Sequence, residues 1–457
     1  AGVRLELQKI YGSNDYAFLS TTNLSPRLSA VYDPFNDGRS KLSVSYGRYY
    51  EQVPLDVAAR YFGGENYVQQ FGPLVSEFGY PTNCPTNLQN GYNWTGAGEY
   101  ANGKCGPALG TSPTFNSEYA QKNIQGQYHN EIVATAERQI MDDMTVRIDY
   151  QHRWLGNIIE DGYGPDYPNS AGILANPGNV PQSALDAAKH TAQLAQMTAA
   201  AMPNDPAAQA AATTAQYNLN TLQTLANAPA PERTYDAITL SLNKRFSKNW
   251  LTRASYTYSR LVGNYEGLYQ QETNYIAPNG GNAYDFPELY VNQNGPLPND
   301  RPHLFKLDGF YRHALGKGQV TFGLSFSAQS GMPRNYIANL QPESGNQLVL
   351  LLPRGDAGRT PTITQLNGKI AYGQALGPKM NLEGFIDLFN IFNQQTAILT
   401  DDNYTFDAAP PIANGTTQDL KFAKTSAGGP ITKNPNFGQP LAYQDPFNAR
   451  LGLRLTF

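Results

Sequence analysis

Apolar and polar residues alternate strictly along many stretches of this chain, each about ten residues long, which is the period-two signature of strands with one apolar side. The C-terminus shows it most clearly. Leu451, Leu453, Leu455 and Phe457 fall on one side, and Arg450, Gly452, Arg454 and Thr456 on the other. Met144, Val146, Ile148, Tyr150 and Trp154 likewise oppose Thr145, Arg147, Asp149, Gln151 and Arg153. Ile238, Leu240, Leu242 and Phe246 oppose Thr239, Ser241, Asn243 and Arg245, and Val320, Phe322, Leu324 and Phe326 oppose Thr321, Gly323, Ser325 and Ser327. The pattern predicts twelve strands, near 3–10, 24–32, 40–50, 130–140, 144–154, 234–246, 250–260, 303–313, 319–329, 363–373, 380–391 and 446–457.

The connections between these strands are as informative as the strands. After the first hairpin they alternate short (33–39, 141–143, 247–249, 314–318, 374–379) and long (51–129, 155–233, 261–302, 330–362, 392–445). Sequential antiparallel strands place alternate connections at opposite ends of a sheet. One end therefore carries tight turns and the other nearly all the irregular chain, the arrangement of an outer-membrane barrel with short periplasmic turns and long extracellular loops. Tyr46, Tyr49, Tyr50, Tyr150, Trp154, Trp250, Tyr256, Tyr258 and Tyr311 lie toward strand ends, where amphipathic rings sit at headgroup level. Arg48, Arg138 and Lys244 fall on the apolar parity, each close enough to a strand end to snorkel. Residues 182–226, within the long connection 155–233, are Ala-, Gln- and Leu-rich. Asp205 and Pro206 form an N-cap and first-turn pair there, which predicts a helical hairpin on the extracellular side.

Composition sharpens the picture. Only 15% of the 457 residues are charged, mean hydropathy is −0.48, and net charge is −4. There is no basic excess for nucleic-acid binding, and 30 tyrosines argue against a disordered chain. The longest apolar run, Leu348–Leu352, is too short for a membrane helix, yet a β-barrel never accumulates apolar residues in one window. The two cysteines, Cys84 and Cys105, lie in Gly/Pro/Asn-rich sequence within 51–129 and read as a loop-closing disulfide in an oxidising compartment. Residue 1 begins in a strand pattern without a signal peptide, so either a signal has been removed or the chain starts within a longer protein.

The chemical inventory points away from an enzyme. His129, His152, His190, His303 and His313 have neither metal-ligand spacing nor a neighbouring nucleophile motif, and no cofactor is implied. Asp401-Asp402-Asn403 with Asp407 lacks the Gly and Glu of an EF-hand and reads as a solvated loop. Asp300-Arg301-Pro302-His303 reads as a turn that starts a strand. If the apolar faces meet lipid, then Arg147, Asp149, Arg153, Arg253, Lys306, Asp308, Glu383, Asp387, Arg450 and Arg454 line a lumen, most of them paired with one another. Leu451, Leu453, Leu455 and the terminal Phe457 form the edge-strand signal that barrel assembly machinery reads.

Several segments resemble Oar-like TonB-dependent receptors. They are Leu24-Ser25-Pro26-Arg27-Leu28 leading to Tyr32-Asp33-Pro34-Phe35 and Asp37-Gly38, and Leu240-Ser241-Leu242-Asn243-Lys244-Arg245-Phe246 followed by Tyr256-Thr257-Tyr258-Ser259. Asn299-Asp300-Arg301-Pro302-His303, Ser330-Gly331-Met332-Pro333 and Asp387-Leu388-Phe389-Asn390-Ile391-Phe392-Asn393 match too, as do Asn434-Pro435-Asn436-Phe437-Gly438 and Arg450 through Phe457. The resemblance implies a 22-stranded outer-membrane barrel occluded by an N-terminal plug and energised by the TonB complex. This sequence shows no plug, no TonB box and none of the carboxypeptidase-regulatory-like β-sandwich that members of the group often carry before the plug.

The fold class expected is therefore all-β, a transmembrane antiparallel β-barrel, with residues 1–457 supplying about twelve C-terminal strands and the long extracellular loops. The expected partners are outer-membrane lipid and lipopolysaccharide, the barrel assembly machinery, the TonB complex through the missing plug region, and an unidentified sugar, peptide or protein ligand. Tyr/Asn/Gly-rich surfaces at 61–100 and 264–295 are the expected capture sites. A self-contained twelve-stranded passive pore, which needs residues 3–10 to pair with 446–457, and a surface adhesion barrel remain open at this point. A water-soluble all-β enzyme ranks last.

Overall fold

The structure, a computed structural model, describes residues 1–11, 17–55, 57, 68–70, 108–111, 120–165, 172–270, 275–276, 279–340 and 347–457. Twelve strands form one continuous antiparallel path in chain order. They are β1 (Gly2–Tyr11), β2 (Ala17–Tyr32), β3 (Ser40–Tyr50), β4 (Tyr128–Met141), β5 (Met144–Asn157), β6 (Arg233–Ser247), β7 (Trp250–Gly263), β8 (His303–Leu315), β9 (Gly318–Gln329), β10 (Ile363–Ala375), β11 (Asn381–Phe389) and β12 (Asn448–Thr456). A short strand, Gly295–Pro296, joins the sheet at the end of β7. β1 and β12 are the two ends of this order and do not pair with each other. The self-closing twelve-strand pore is therefore not the arrangement adopted.

The sequence reading misses the first half of β2. Ser20-Thr21-Thr22-Asn23 carries no apolar alternation, yet it pairs with β1 from Leu5↔Leu24 to Ile10↔Leu19. Thr21, Asn23 and Ser25 are buried on one face of that strand.

The sheet itself has almost no protein core. Leu5, Leu24, Val44, Ile148, Leu240, Leu324, Ile370 and Leu453 are exposed large apolar residues, one or more on nearly every strand. Folded proteins in water seldom expose contiguous apolar patches beyond a few hundred Å². An apolar belt across twelve strands fits hydrocarbon as its solvent. Aromatic rings border this face at both ends. Tyr46 and Trp154 pack at 6.4 Å, and His152 stacks on Trp154 at 4.9 Å, toward the long connections. Trp250 pairs with Tyr311 at the short-turn end. Tyr49 departs from the expected belt. It lies on the polar face, stacked on His129 at 5.3 Å beneath the Arg27 guanidinium.

The short-turn end is tightly specified. Lys248 and Asn249 both take positive φ (47° and 70°) in the two-residue loop that closes Ser247 onto Trp250. The Asp33 carboxylate accepts from the amides of Phe35, Asn36 and Gly38 and so holds the β2–β3 turn. Of the three cations on apolar parity, Arg48 and Arg138 cover rings of Tyr128 and Phe35 at 4.2 and 4.7 Å. Lys244 does not snorkel. It is buried, 2.9 Å from Asp143, donates to the carbonyls of Arg245, Ser247 and Trp250, and lies 4.2 Å from the Trp250 ring. This clamp ties the β4–β5 turn to the β6–β7 turn. A bulge between Lys244 and Ser247 breaks the strand parity. Phe246 consequently stacks at 5.5 Å on Phe310, which shares the face of Asp308, instead of extending the apolar belt.

The apolar cores lie mostly in the long connections. One joins Ile10 of β1 and Leu19 of β2 to Val53, Val57, Ile124, Ile159 and Leu174; a second joins Ile158, Ile173, Leu222, Leu225, Tyr265 and Tyr284; a third joins Leu289, Ala338, Leu340, Val349, Leu351 and Leu352. The apolar run noted in the sequence, Leu348–Leu352, thus belongs to the loop layer. Helices α1 (Gln182–Ala201) and α2 (Pro206–Asn227) form an antiparallel pair that contributes Leu222 and Leu225 to the second core, with Asp205 Oδ1 accepting from the Ala207 amide at 2.9 Å.

Two outcomes are expected. Leu240→Arg, at mid-strand on the apolar face, should cost about 2–4 kcal/mol in urea unfolding from lipid vesicles, whereas Ser241→Arg on the opposite face should cost well under half of that. Hydrogen bonds from Ser247 and Lys244 hold the Asp143 carboxyl down at about 2, below its ordinary 3.8. A depressed carboxyl stabilises the fold above the ordinary value and stops doing so as pH falls through the depressed one. Wild-type stability should therefore drop between pH 4 and pH 2 by a component that Asp143→Asn lacks, read from unfolding midpoints.

Candidate functional site: a paired-charge wall beneath a loop-built mouth

Alternation fixes the site. Residues that flank the exposed apolar positions share the other face of the sheet, and the register brings their charges side by side. Arg147 grips Asp149 with three contacts of 2.6–2.8 Å, and Thr135 also donates to that carboxylate at 2.6 Å. Arg153 Nε donates to Glu131 at 2.8 Å, joined by Gln151. Asp387 accepts from Arg450 at 2.7 and 3.1 Å and from Lys369 at 3.3 Å, and Arg454 faces Glu383 at 3.7 Å. Lys369 also sits 3.8 Å from the centre of the Phe385 ring, a ring that Gly452 leaves room for. Arg253, Lys306 and Asp308 stand differently. Arg253 and Asp308 are register partners, Asp308 accepts from Ser325 at 2.7 Å, and none of the three forms an ion pair among the described residues.

Two clefts of about 720 Å³ lie along this face. The one nearer the short turns is lined by Arg253, Asp308, Lys369, Asp387 and Arg454. The one nearer the long connections is lined by Arg301, Gln329, Gln365, Tyr443 and Gln444. Phe389 borders both, so they adjoin. The first suits mixed charge or water; the second sets amides and a phenol among Arg301, Asp445 and apolar side chains such as Met332, Ile363 and Leu399.

Above the clefts, buried polar side chains knit the long connections together. Asn176 exchanges hydrogen bonds with Gln121 and donates to the Ile158 and Gln125 carbonyls. Asn292 donates to the carbonyls of Leu350, Leu351 and Ile412. Asp300 accepts from the Leu261 amide at 2.7 Å and pairs with Arg359, at the turn where β8 starts. Arg354 pairs with Glu266 at 3.3 Å.

This layer corrects two sequence expectations. Asp401 and Asp402 do not form a solvated loop: Asp401 accepts from Asn434 and Asn403, and Asp402 binds Arg334 and the Asn335 amide. The tyrosines of 264–295 are not all presented to solvent. Tyr265 and Tyr284 are core residues, while Tyr269 is exposed. Of the other capture segment only Val68–Gln70 is described, as a short strand paired with Ala108–Thr111, and Cys84 and Cys105 lie outside the described residues.

Sequence reasoning misses the buried acids Glu160, Asp161 and Asp285 and the Arg354–Glu266 pair, because these charges carry no local period and are brought together only by packing.

The family model described as "Outer membrane beta barrel domain" matches residues 7–328. The TonB-dependent transporter Oar of Myxococcus xanthus is 31% identical over 484 aligned residues, which cover 100% of this chain and 41% of Oar. The chain thus spans about two fifths of the length of that curated relative. Among solved structures, the outer membrane transporter YddB from Escherichia coli aligns with TM-score 0.49 and 12% identity, covering 96% of this chain and 41% of YddB. The siderophore receptor PiuA from Acinetobacter baumannii aligns with TM-score 0.41 and 9% identity, covering 96% and 36%.

Asp387 tests the paired wall. Asp387→Ala leaves Arg450 and Lys369 facing each other without a carboxylate, and should cost about 1–2 kcal/mol in urea unfolding. Arg450→Ala, which removes a largely exposed partner, should cost under about 1 kcal/mol.

Proposed function

Because the chain belongs to the outer-membrane β-barrel domain family, a family of membrane barrels and not of enzymes, we propose that it forms part of the wall and much of the mouth of a TonB-dependent transporter. The observation that carries the reading is the polarity of the sheet: an exposed apolar face, a charged opposite face, and packed connections at one end only. In this reading the long connections are extracellular, and the short turns and C-terminus are periplasmic. The charged face, Arg147, Asp149, Arg153, Arg253, Lys306, Asp308, Arg450 and Arg454 included, lines the lumen. The free edges of β1 and β12 pair with barrel strands that this chain does not supply, since unpaired backbone groups are untenable in hydrocarbon. Leu451, Leu453, Leu455 and Phe457 present the insertion signal to the assembly machinery, and the apolar belt meets lipid and lipopolysaccharide. A sugar, peptide or protein segment is captured by the loop layer. Its passage is driven by TonB acting on a plug outside this chain.

The test compares solutes exchanged between cells and medium in a strain lacking the full-length gene and in its complemented parent, with and without collapse of the inner-membrane proton gradient. The expected result is at least one solute whose exchange needs both the gene and the gradient. A gene-dependent exchange that survives gradient collapse would indicate a passive pore. Lost surface attachment with unchanged exchange would indicate an adhesion barrel.

A further inference from the structure

The cleft nearer the long connections crosses the ends of five neighbouring strands. Arg301 stands just before β8, Gln329 ends β9, Gln365 lies near the start of β10, Phe389 ends β11, and Asp445 stands just before β12. These strands are adjacent in that order. Arg301 and Asp445 therefore occupy opposite ends of the cleft, separated by the β8-to-β12 span of roughly 19 Å at about 4.8 Å per strand. They are the only fully charged side chains in its lining. Met332, which follows β9, and Ile363, which starts β10, place aliphatic side chains between the two charges.

The lining is held in place and still has groups to offer. Asn390 donates to the Asp445 carbonyl at 2.8 Å. Gln444 donates its backbone amide to the Thr396 carbonyl and its side-chain amide to the Thr364 carbonyl, both at 3.0 Å. A wall fixed in this way loses little freedom when a ligand arrives. Arg301 donates through Nη1 to the Pro298 and Asp300 carbonyls at 2.8 and 3.1 Å, while its neighbour Arg359 takes the Asp300 carboxylate. Among the described residues neither Arg301 nor Asp445 forms an ion pair, and the Gln329 amide and Tyr443 hydroxyl make no hydrogen bond.

One unpaired cation and one unpaired anion at opposite ends, aliphatic walls between them, and amides along the way suit a zwitterion with a repeating amide backbone. A neutral sugar has no use for either charge or for aliphatic walls, and a polyanionic chelate would meet a single guanidinium. An extended chain covers about 3.3–3.6 Å per residue, so the span between the charges corresponds to about five residues. We propose that this cleft binds a short extended peptide with both termini free. Its carboxylate meets Arg301 and its ammonium meets Asp445. Gln329 and Tyr443 bond its main chain, and Met332 and Ile363 receive apolar side chains. This deepens the transporter reading and rests on it for the passage of the peptide after binding.

The test uses the full-length protein in lipid nanodiscs, immobilised, with a randomised pentapeptide pool as the probe. The pool is offered with free termini, N-acetylated, or C-amidated, and maltopentaose serves as a sugar of similar length. The free pool should be retained, with apolar side chains enriched, and each cap should lower retention about tenfold. Asp445→Asn should retain the free and acetylated pools equally while still rejecting the amidated one. Arg301→Gln should do the converse. A variant that is merely damaged would not lose its response to one terminus alone. Heat-modified gel mobility identifies folded barrels, and if Arg301→Gln is not one, the exposed Asp445 decides by itself. No retention of the free pool, retention indifferent to both caps, or retention of maltopentaose instead would overturn the peptide site. Gene- and gradient-dependent exchange of another solute would in that case leave the transporter reading standing.

Discussion

Hydrogen bonding between strands is the constraint on which everything else in this molecule depends. In hydrocarbon no water can satisfy a stray amide or carbonyl, so each strand must give its backbone groups to its neighbours. The ladder from β1 to β12 does this in unbroken sequential order. Once the backbone is satisfied sideways, the two faces are free to meet different solvents, and period-two alternation follows. Sequential pairing also throws every second connection to the same end. The separation of tight turns from long connections is thus a consequence of the ladder and not an additional design feature.

That constraint inverts the usual arrangement of a protein. The regular structure carries almost no core, and the irregular structure carries nearly all of it. Leu240 and Leu453 on the strands are exposed, while Leu225, Leu351 and Leu352 in the connections are fully buried. A layer built from loops must find partners for many backbone and side-chain polar groups away from water. Asn176, Asn292 and Asp300 each bond two or more separate segments there. The same demand explains Lys244 at the other end, where one buried ammonium gathers three carbonyls and a carboxylate from two turns.

The sequence reveals what is local and conceals what is not. Strand faces, turn positions and the side of the long connections all follow from neighbouring residues, so the ladder and its family resemblance were legible. The failures share one cause. Phe246 reads as lipid-facing because a bulge after Lys244 cannot be seen in alternation. Ser20–Asn23 reads as loop because the polar face of β2 is buried while its partner strand supplies the ladder. Tyr265 and Tyr284 read as a capture surface because composition does not say which rings pack inward. Asp285 is far in sequence from the neighbours Glu160 and Asp161 and meets them only through the ladder 160–162 and the turn 282–284.

In the proposed transporter, the charge pattern of the wall constrains where selectivity resides. Focusing of a ligand by a pore needs a field of one sign along its lining. Here Arg147, Arg153, Arg450, Arg454 and Lys369 each face a carboxylate within 4 Å, so their fields largely cancel a few ångströms away. A wall of short-circuited ion pairs holds water and shape but discriminates weakly by charge. Arg253, Lys306 and Asp308, without such pairs among the described residues, mark the segment where charge can still be felt. Above them the lining adds Gln329, Gln365, Gln444 and Tyr443, groups that recognise by hydrogen bond, set among Arg301, Asp445 and apolar side chains. On the transporter reading proposed above, discrimination belongs to the mouth and the loop layer that frames it, and the wall below serves as a hydrated conduit.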